Sequence, residues 1–279
     1  MLVQSVDYCS PDAARYFTAS LRETGFAVLR NHPLPEALIR DIYADWAAFF
    51  ASGDKDAYRF DPTRQDGWFP ADISETAKGH TVRDLKEFFH VYTWGRIPPA
   101  LREGALRYHR EATRLAAQLL AWIEQELPET TRQQLSEPLS RMIEGSEASL
   151  LRVLHYPPLA GNEPAGALRA AAHEDINLIT LLPAASAPGL QVMARSGDWL
   201  DVPVDPGALV INVGDMLQEA TGGWLPSTSH RVVNPGAADA NASRLSLPLF
   251  LHPRAEVVLS SRYTAQRYLD ERLRELGVK

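Results

Sequence analysis

The stretch Ala171-Ala172-His173-Glu174-Asp175-Ile176-Asn177-Leu178-Ile179-Thr180 decides how this chain is read. It joins two short apolar runs, 168–173 and 176–182, that read as strands. His173 and Asp175 fall at their junction, the rim of a β core. In extended backbone, side chains two residues apart point to one side, so this pair could reach a single metal ion from one strand end. A second imidazole stands 57 residues downstream in Ser229-His230-Arg231. Two imidazoles and one carboxylate, with coordination positions left open, suit non-haem Fe(II) that binds oxygen. His-x-Asp by itself is common by chance, so the rest of the chain has to supply the context.

Working outward, the texture from Ala148 onward is that of a β protein. Short β-type runs at 149–156, 168–173, 176–182, 189–194, 199–202, 208–212, 229–233, 243–251 and 256–259 are punctuated by Gly and Pro. Strands at this spacing predict a sandwich, barrel or jelly roll, and a jelly roll can bring the strand ends carrying His173 and His230 together. The part before it is α-rich. Helical stripes predict helices at 12–24 (Ala14, Phe17, Leu21, with Gly25 as the stop) and 35–50 (Leu38, Ile42, Trp46, Phe49). A third is expected at 103–127 (Leu106, His109, Thr113, Ala116, Leu120, Ile123) and a shorter one at 130–144. Strands are expected at 26–29 and 84–92. Residues 51–81 are rich in Gly, Pro and Asp and read as a long loop, either a lid over a site or a surface excursion. A last helix, 264–276, carries Tyr268, Leu269, Leu273 and Leu276 on one stripe. No linker interrupts the chain. The expectation is one domain, 1–279: a mainly β fold with flanking helices, an α-rich part over about 1–147 and a jelly-roll core over about 148–260.

Composition narrows the function classes. Of 279 residues, 45% are hydrophobic and 23% charged, as in a globular protein with a sizeable core. The net charge of -7 argues against nucleic acid or an anionic membrane as partner. The single cysteine, Cys9, excludes an intrachain disulfide and fits a reducing compartment. The N-terminal residues lack the basic and apolar regions of a signal peptide, and no run reaches the ~18 apolar residues of a membrane-spanning helix. A cytoplasmic protein acting on a small molecule is expected; oligomeric state is not legible.

Two further elements carry chemistry. Arg244-Leu245-Ser246 lies 14 residues after His230, and on a strand Arg244 and Ser246 face one side. A guanidinium and a hydroxyl in one pocket make a carboxylate clamp; an edge-strand salt bridge is the plainer account. Tyr156, closing Leu150-Leu-Arg-Val-Leu-His-Tyr156-Pro, can add a phenol or simply fill the core. The other histidines, at 32, 80, 90, 109, 155 and 252, form no comparable pattern and read as surface or packing residues.

Taken in order, His173-Glu-Asp175, Pro188-Gly-Leu-Gln191, Val213-Gly-Asp215, Ser229-His230-Arg231-Val232 and Arg244-Leu-Ser246 resemble the isopenicillin N synthase-like Fe(II)/2-oxoglutarate oxygenases. The upstream Leu-Arg-x-Leu-x-Tyr156-Pro matches as well, and Gly25-Phe26 with Asn31-His32 resembles the family's N-terminal strand. Each element is weak alone; together they are specific and span most of the chain. The resemblance implies a double-stranded β-helix fold and Fe(II) held by His173, Asp175 and His230. It implies a carboxylate held by Arg244, Ser246 and Tyr156, in most members that of 2-oxoglutarate. The implied reaction uses oxygen to oxidise a small organic substrate, by hydroxylation in the first instance, releasing succinate and carbon dioxide. One position departs: many relatives carry Asn two residues before the tyrosine, where this chain has Leu154. Isopenicillin N synthase and ACC oxidase carry a similar clamp without using 2-oxoglutarate, so the residues leave open whether the clamp holds the cosubstrate or a substrate carboxylate. A non-catalytic metal-bearing β-barrel is a further alternative. Glu174, pointing to the opposite face of a strand from its neighbours, is expected to have a structural or solvent role.

Overall fold

The structure, a computed structural model, describes residues 3–73, 83–203, 205–236 and 242–275. In chain order the strands are β1 (Ser5–Asp7), β2 (Phe26–Arg30), β3 (Gly67–Phe69), β4 (Glu87–Val91), β5 (Leu150–Tyr156), β6 (Ala170–His173) and β7 (Ile179–Pro183). They continue with β8 (Leu190–Met193), β9 (Trp199–Asp201), β10 (Leu209–Val213), β11 (His230–Val232), β12 (Arg244–Ser246) and β13 (Leu249–Leu251). The helices are α1 (Ala13–Thr24), α2 (Glu36–Ala51), α3 (Pro99–Glu126), α4 (Glu129–Arg132), α5 (Leu139–Met142), α6 (Asp215–Ala220) and α7 (Ala265–Glu275).

Two sheets form the β core. The larger runs β1-β2-β10-β7-β13-β5-β4-β3, with β12 also paired to β5; the smaller runs β6-β11-β8-β9. The period of two along each strand splits the interior into two layers. On β2, Ala27 and Leu29 face one core while Phe26 and Val28 face the other; on β5, Leu151 and Val153 oppose Leu154 and Tyr156. The first core packs the large sheet against α1, α2, α3 and α5 through side chains such as Phe17, Trp46 and Leu119. The second lies between the sheets and takes Ala170, Leu190, Val192 and Val232 from the small one. This is the expected jelly roll with helices on one outer face. Thr180, Asn212, Tyr156, Arg244 and Ser246, used below, alternate with the residues of the first core along their strands and so project from the inter-sheet side.

Differences from the sequence reading have local causes. The run 243–251 is two strands, because Pro248 has no amide to donate to a ladder. The helix expected at 130–144 is two four-residue turns, each opened by a proline, at 128 and 138. No strand forms at 256–259; Val258 makes only an isolated bridge to Thr264. The loop 51–81 contains β3, which pairs with β4, while its residues 74–81 lie outside those described, as do His80 and Leu276. Helix α3 begins at Pro99, a favoured first helical position, rather than at 103. In α1 it is Ala13, not Ala14, that is buried, and Gly25 ends the helix in the left-handed region as expected, at φ 74°. Helix α6 and strand β1 were not anticipated; six and three residues carry too little periodicity to be read.

Three histidines are packing residues with a consequence for acid stability. Burial strips water from His32, His109 and His252 and lowers their pKa values, that of His252 to about 4. Between the ordinary histidine value of about 6.5 and these lowered values, the unfolded chain binds more protons than the folded one. Stability therefore falls as pH drops below about 6.5. The metal-free protein should melt at least about 2 °C lower at pH 5 than at pH 7.5, the scale of a loss near 1 kcal/mol. Equal melting temperatures would contradict the burial of these rings.

Candidate metal centre

The 57-residue gap between His173 and His230 is closed by a single strand pairing. β11 lies antiparallel beside β6 with His230 directly opposite His173, and the two ring centroids are 4.4 Å apart. In each ring Nδ1 sits against the carbonyl of the residue two earlier, Ala171 at 2.8 Å and Thr228 at 3.1 Å. A carbonyl only accepts, so Nδ1 carries the proton and Nε2 presents its lone pair to the site. Phe26 packs edge-on against the His230 ring at 5.4 Å.

Asp175 reaches the same place by a different route from that expected. β6 ends at His173 and β7 begins only at Ile179, so Asp175 lies on the crossover between the sheets, not on a strand. Its Oδ1 is 3.9 Å from His173 Nε2 and 3.7 Å from His230 Nε2. Its Oδ2 is occupied: Thr180 Oγ1 donates to it at 2.6 Å and Asn212 Nδ2 at 2.7 Å. One oxygen is thus held by the protein and the other left to face the two imidazoles. These three residues form the group of potential metal ligands found among the described residues, with donor atoms within 4.8 Å of one another.

The surroundings favour the ligand forms. Burial opposes the charged Asp175, but the two imidazoles and the two donors outweigh it and hold the carboxyl below the usual carboxylate range. Crowding by the walls strips water from the His173 ring and pushes its pKa down to about 4, with His230 adding to the shift and Asp175 opposing it. The His173 side chain keeps 40% of its surface exposed. Glu174 is exposed, in keeping with a solvent role.

The crossover is pinned from below. Asp215 N donates to Asp175 O at 2.7 Å, and Gly214 N to Leu178 O at 2.9 Å. Gly214 has no room for a side chain, since a Cβ there would lie 2.2 Å from Asn177 O. This accounts for Val213-Gly214-Asp215: the turn after β10 seats the backbone that presents Asp175. Gly214→Ala should destabilise the protein by about 1–3 kcal/mol, the usual range for overpacking, and weaken metal binding with it. Wild-type stability and metal affinity in that variant would contradict this account.

Deeper between the sheets, Arg244 lies directly opposite Tyr156 in the β12–β5 pairing, and Ser246 opposite Leu154. All three of Arg244, Ser246 and Tyr156 are buried, at 1%, 3% and 2% exposure. The Arg244 guanidinium sits 5.1 Å from the Tyr156 ring centroid, its Nε donates to Ala187 O at 3.0 Å, and its Nη1 has no partner. A fully buried guanidinium with an unused donor is an incomplete arrangement that a carboxylate would complete. Arg244 makes no salt bridge among the described residues, so the edge-strand alternative does not hold. Leu154 packs into the inter-sheet core beside Ser246 and offers no amide there.

Sequence reading missed Thr180 and Asn212, and it quoted Gly214 in a motif without giving it a role. Two signals were present, since Thr180 ends the opening stretch and Asn212 interrupts the apolar run of β10. Neither declares a partner until the sheets are stacked. Two surface concavities, one beside Arg22 and Trp224 and one beside Gln218 and Arg262, include none of the site residues.

Comparison with known proteins gives the family. The 2OG-Fe(II) oxygenase superfamily matches residues 147–253, and the N-terminal family of non-haem dioxygenases in morphine synthesis matches 7–111. A solved structure of a candidate oxygenase from Shewanella oneidensis is 54% identical, covers 100% of both chains and superposes with a TM-score of 0.91. A candidate 2OG-Fe(II) oxygenase family protein from Caulobacter crescentus is 32% identical over 98% of this chain and 99% of its own, with a TM-score of 0.82. Proline hydroxylase buaE of Petromyces alliaceus is 30% identical, covering 87% of this chain and 82% of its own.

Proposed function

Because the chain belongs to the 2OG-Fe(II) oxygenase superfamily, we propose that His173, Asp175 and His230 are its iron ligands and that Arg244, Ser246 and Tyr156 hold the distal carboxylate of 2-oxoglutarate. The chain is a 2-oxoglutarate-dependent dioxygenase, with Fe(II) as its metal cofactor and oxygen as the other cosubstrate. The observation that carries the residue assignment is Asp175: one oxygen saturated by Thr180 and Asn212, the other facing two imidazoles whose Nδ1 protons are already committed. The donor set is right for Fe(II), three ligands that leave positions open, and the partnerless Nη1 of Arg244 fits a carboxylate.

Iron and 2-oxoglutarate, when bound, supply oxygen activation coupled to loss of carbon dioxide, with one oxygen atom going to succinate and the other to the substrate. The chain's own residues prepare that chemistry. His173 and His230 offer neutral nitrogen, and Asp175 a carboxylate kept ionised by its neighbours. Thr180 and Asn212 fix its orientation. Arg244, Ser246 and Tyr156 orient the cosubstrate from the far end. Apolar side chains of the inter-sheet core, among them Phe26, Val192 and Val210, keep water from the reacting centre.

The proposed substrate is a small organic molecule, with hydroxylation as the outcome. The stacked rings of Phe60, Phe69 and Phe88, with centroids 4.5 and 4.7 Å apart, give the inter-sheet space an apolar wall suited to one. We also take 1–279 to act as one oxygenase domain, supported by β2, β5 and β10 contributing to both cores. A cytoplasmic location is supported by the lone cysteine; no helix among the described residues is long and apolar enough to cross a membrane. The test is anaerobic addition of 2-oxoglutarate to the Fe(II) protein. A visible charge-transfer band should appear and should be lost in Asp175→Ala; a band of undiminished strength in that variant would overturn the ligand assignment.

A further inference from the structure

We propose that Arg169 is a second cationic arm of the cosubstrate clamp, sharing with Arg244 the distal carboxylate of 2-oxoglutarate. This rests on the reading that Arg244, Ser246 and Tyr156 hold that carboxylate. Arg169 stands one residue ahead of β6, the strand that ends in His173, and is only 2% exposed. Its position is fixed from two sides. Its backbone N donates to Asn234 Oδ1 at 3.0 Å, and its Nη2 to the carbonyl of Ala242, two residues before Arg244, at 2.7 Å. Its guanidinium lies 6.0 Å from the centroid of the same Tyr156 ring that Arg244 faces at 5.1 Å. Each guanidinium keeps one buried nitrogen without a partner, Nε in Arg169 and Nη1 in Arg244.

Two buried like charges around one ring, with no carboxylate on either among the described residues, are an unbalanced arrangement. Guanidinium does not shed its proton to escape it. The other buried cation of this region, Lys86, is already matched by Asp84 at 2.7 Å. Iron, when bound, would have its charge matched by Asp175 and by the keto-acid carboxylate of 2-oxoglutarate. The distal carboxylate then remains for two arginines, and its two oxygens offer about four acceptor positions, enough for both. Burial and the charge of Arg244 also lower the pKa of Arg169, in keeping with two cations that share a space.

The test is titration of the anaerobic Fe(II) protein with 2-oxoglutarate and with pyruvate, which keeps the keto-acid end but lacks the distal carboxylate. Arg169→Gln retains a donor for the Ala242 carbonyl and loses the charge. It should bind 2-oxoglutarate about ten- to a hundredfold more weakly, the scale of a charged hydrogen bond, and pyruvate as the wild type does. Arg169→Lys should recover part of the loss, and it carries the test by the same comparison if the glutamine variant does not fold. Wild-type affinity for 2-oxoglutarate in Arg169→Gln, alongside weakened binding in Arg244→Met, would overturn the role of Arg169 and leave the clamp standing. Wild-type affinity in both variants would overturn the clamp itself and the inference with it.

Discussion

Replacing His173 or Asp175 by alanine should abolish Fe(II)-dependent turnover while leaving the fold intact. His173 is partly exposed at the end of β6, so its removal opens no large cavity. The loss of a ligand out of three has to be larger than the loss of a residue that merely orients one. Outer partners typically account for about 10–100-fold in metal affinity or activity. Asn212→Ala or Thr180→Val, which free Oδ2 of Asp175 to turn, should therefore fall in that range, and Asp175→Ala beyond it. Asp175→Ala also leaves Thr180 and Asn212 with unused donors, so some loss of stability is expected with it. Iron content after anaerobic loading, read beside the melting temperature, separates the two effects. Retained turnover in either alanine variant would sink the metal assignment. Equal losses in Asp175→Ala and Asn212→Ala would mean that the carboxylate acts through its structural contacts alone.

Arg244→Met should weaken 2-oxoglutarate binding with iron still bound. The side chain is 1% exposed and its nearest fixed partner is a neutral carbonyl, that of Ala187. A hydrogen bond to a charged group contributes about 1.5–3 kcal/mol, and a two-pronged guanidinium–carboxylate contact lies at the upper end. A loss of roughly a hundredfold or more in affinity follows. Methionine fills similar volume without charge, so burial of an unpaired cation is relieved and the melting temperature should hold or rise. That pairing of weaker cosubstrate binding with undiminished stability is the signature of a residue kept for a ligand. Unchanged 2-oxoglutarate affinity would remove Arg244 from the clamp.

Much of this was legible in the chain because the physics involved is local. Leu38, Ile42, Trp46 and Phe49 sit on one stripe of α2 because helical geometry puts them there, and all four are buried. Arg244 and Ser246 face one side because strands alternate. What escaped depended on partners distant in sequence. Asp175 was read at the junction of two strands, the second starting at Ile176; in fact β7 starts only at Ile179, and the crossover's shape is set by hydrogen bonds from Gly214 and Asp215. Arg169 drew no attention because an arginine before an apolar run is unremarkable until Arg244 is found beside the same tyrosine.

The sequence by itself pointed to the class of fold and to His173, Asp175, His230, Arg244, Ser246 and Tyr156 as candidate site residues, through residue type, short-range periodicity and the resemblance to a known family. Only the tertiary structure decided how they meet. The β6–β11 register sets His173 against His230, the stacking of two sheets brings Thr180 and Asn212 under one oxygen of Asp175, and the β12–β5 pairing places Arg244 across from Tyr156. The physical reason is that a strand's own sequence specifies which face is buried but not which strand lies beside it; that choice is made by the whole core at once.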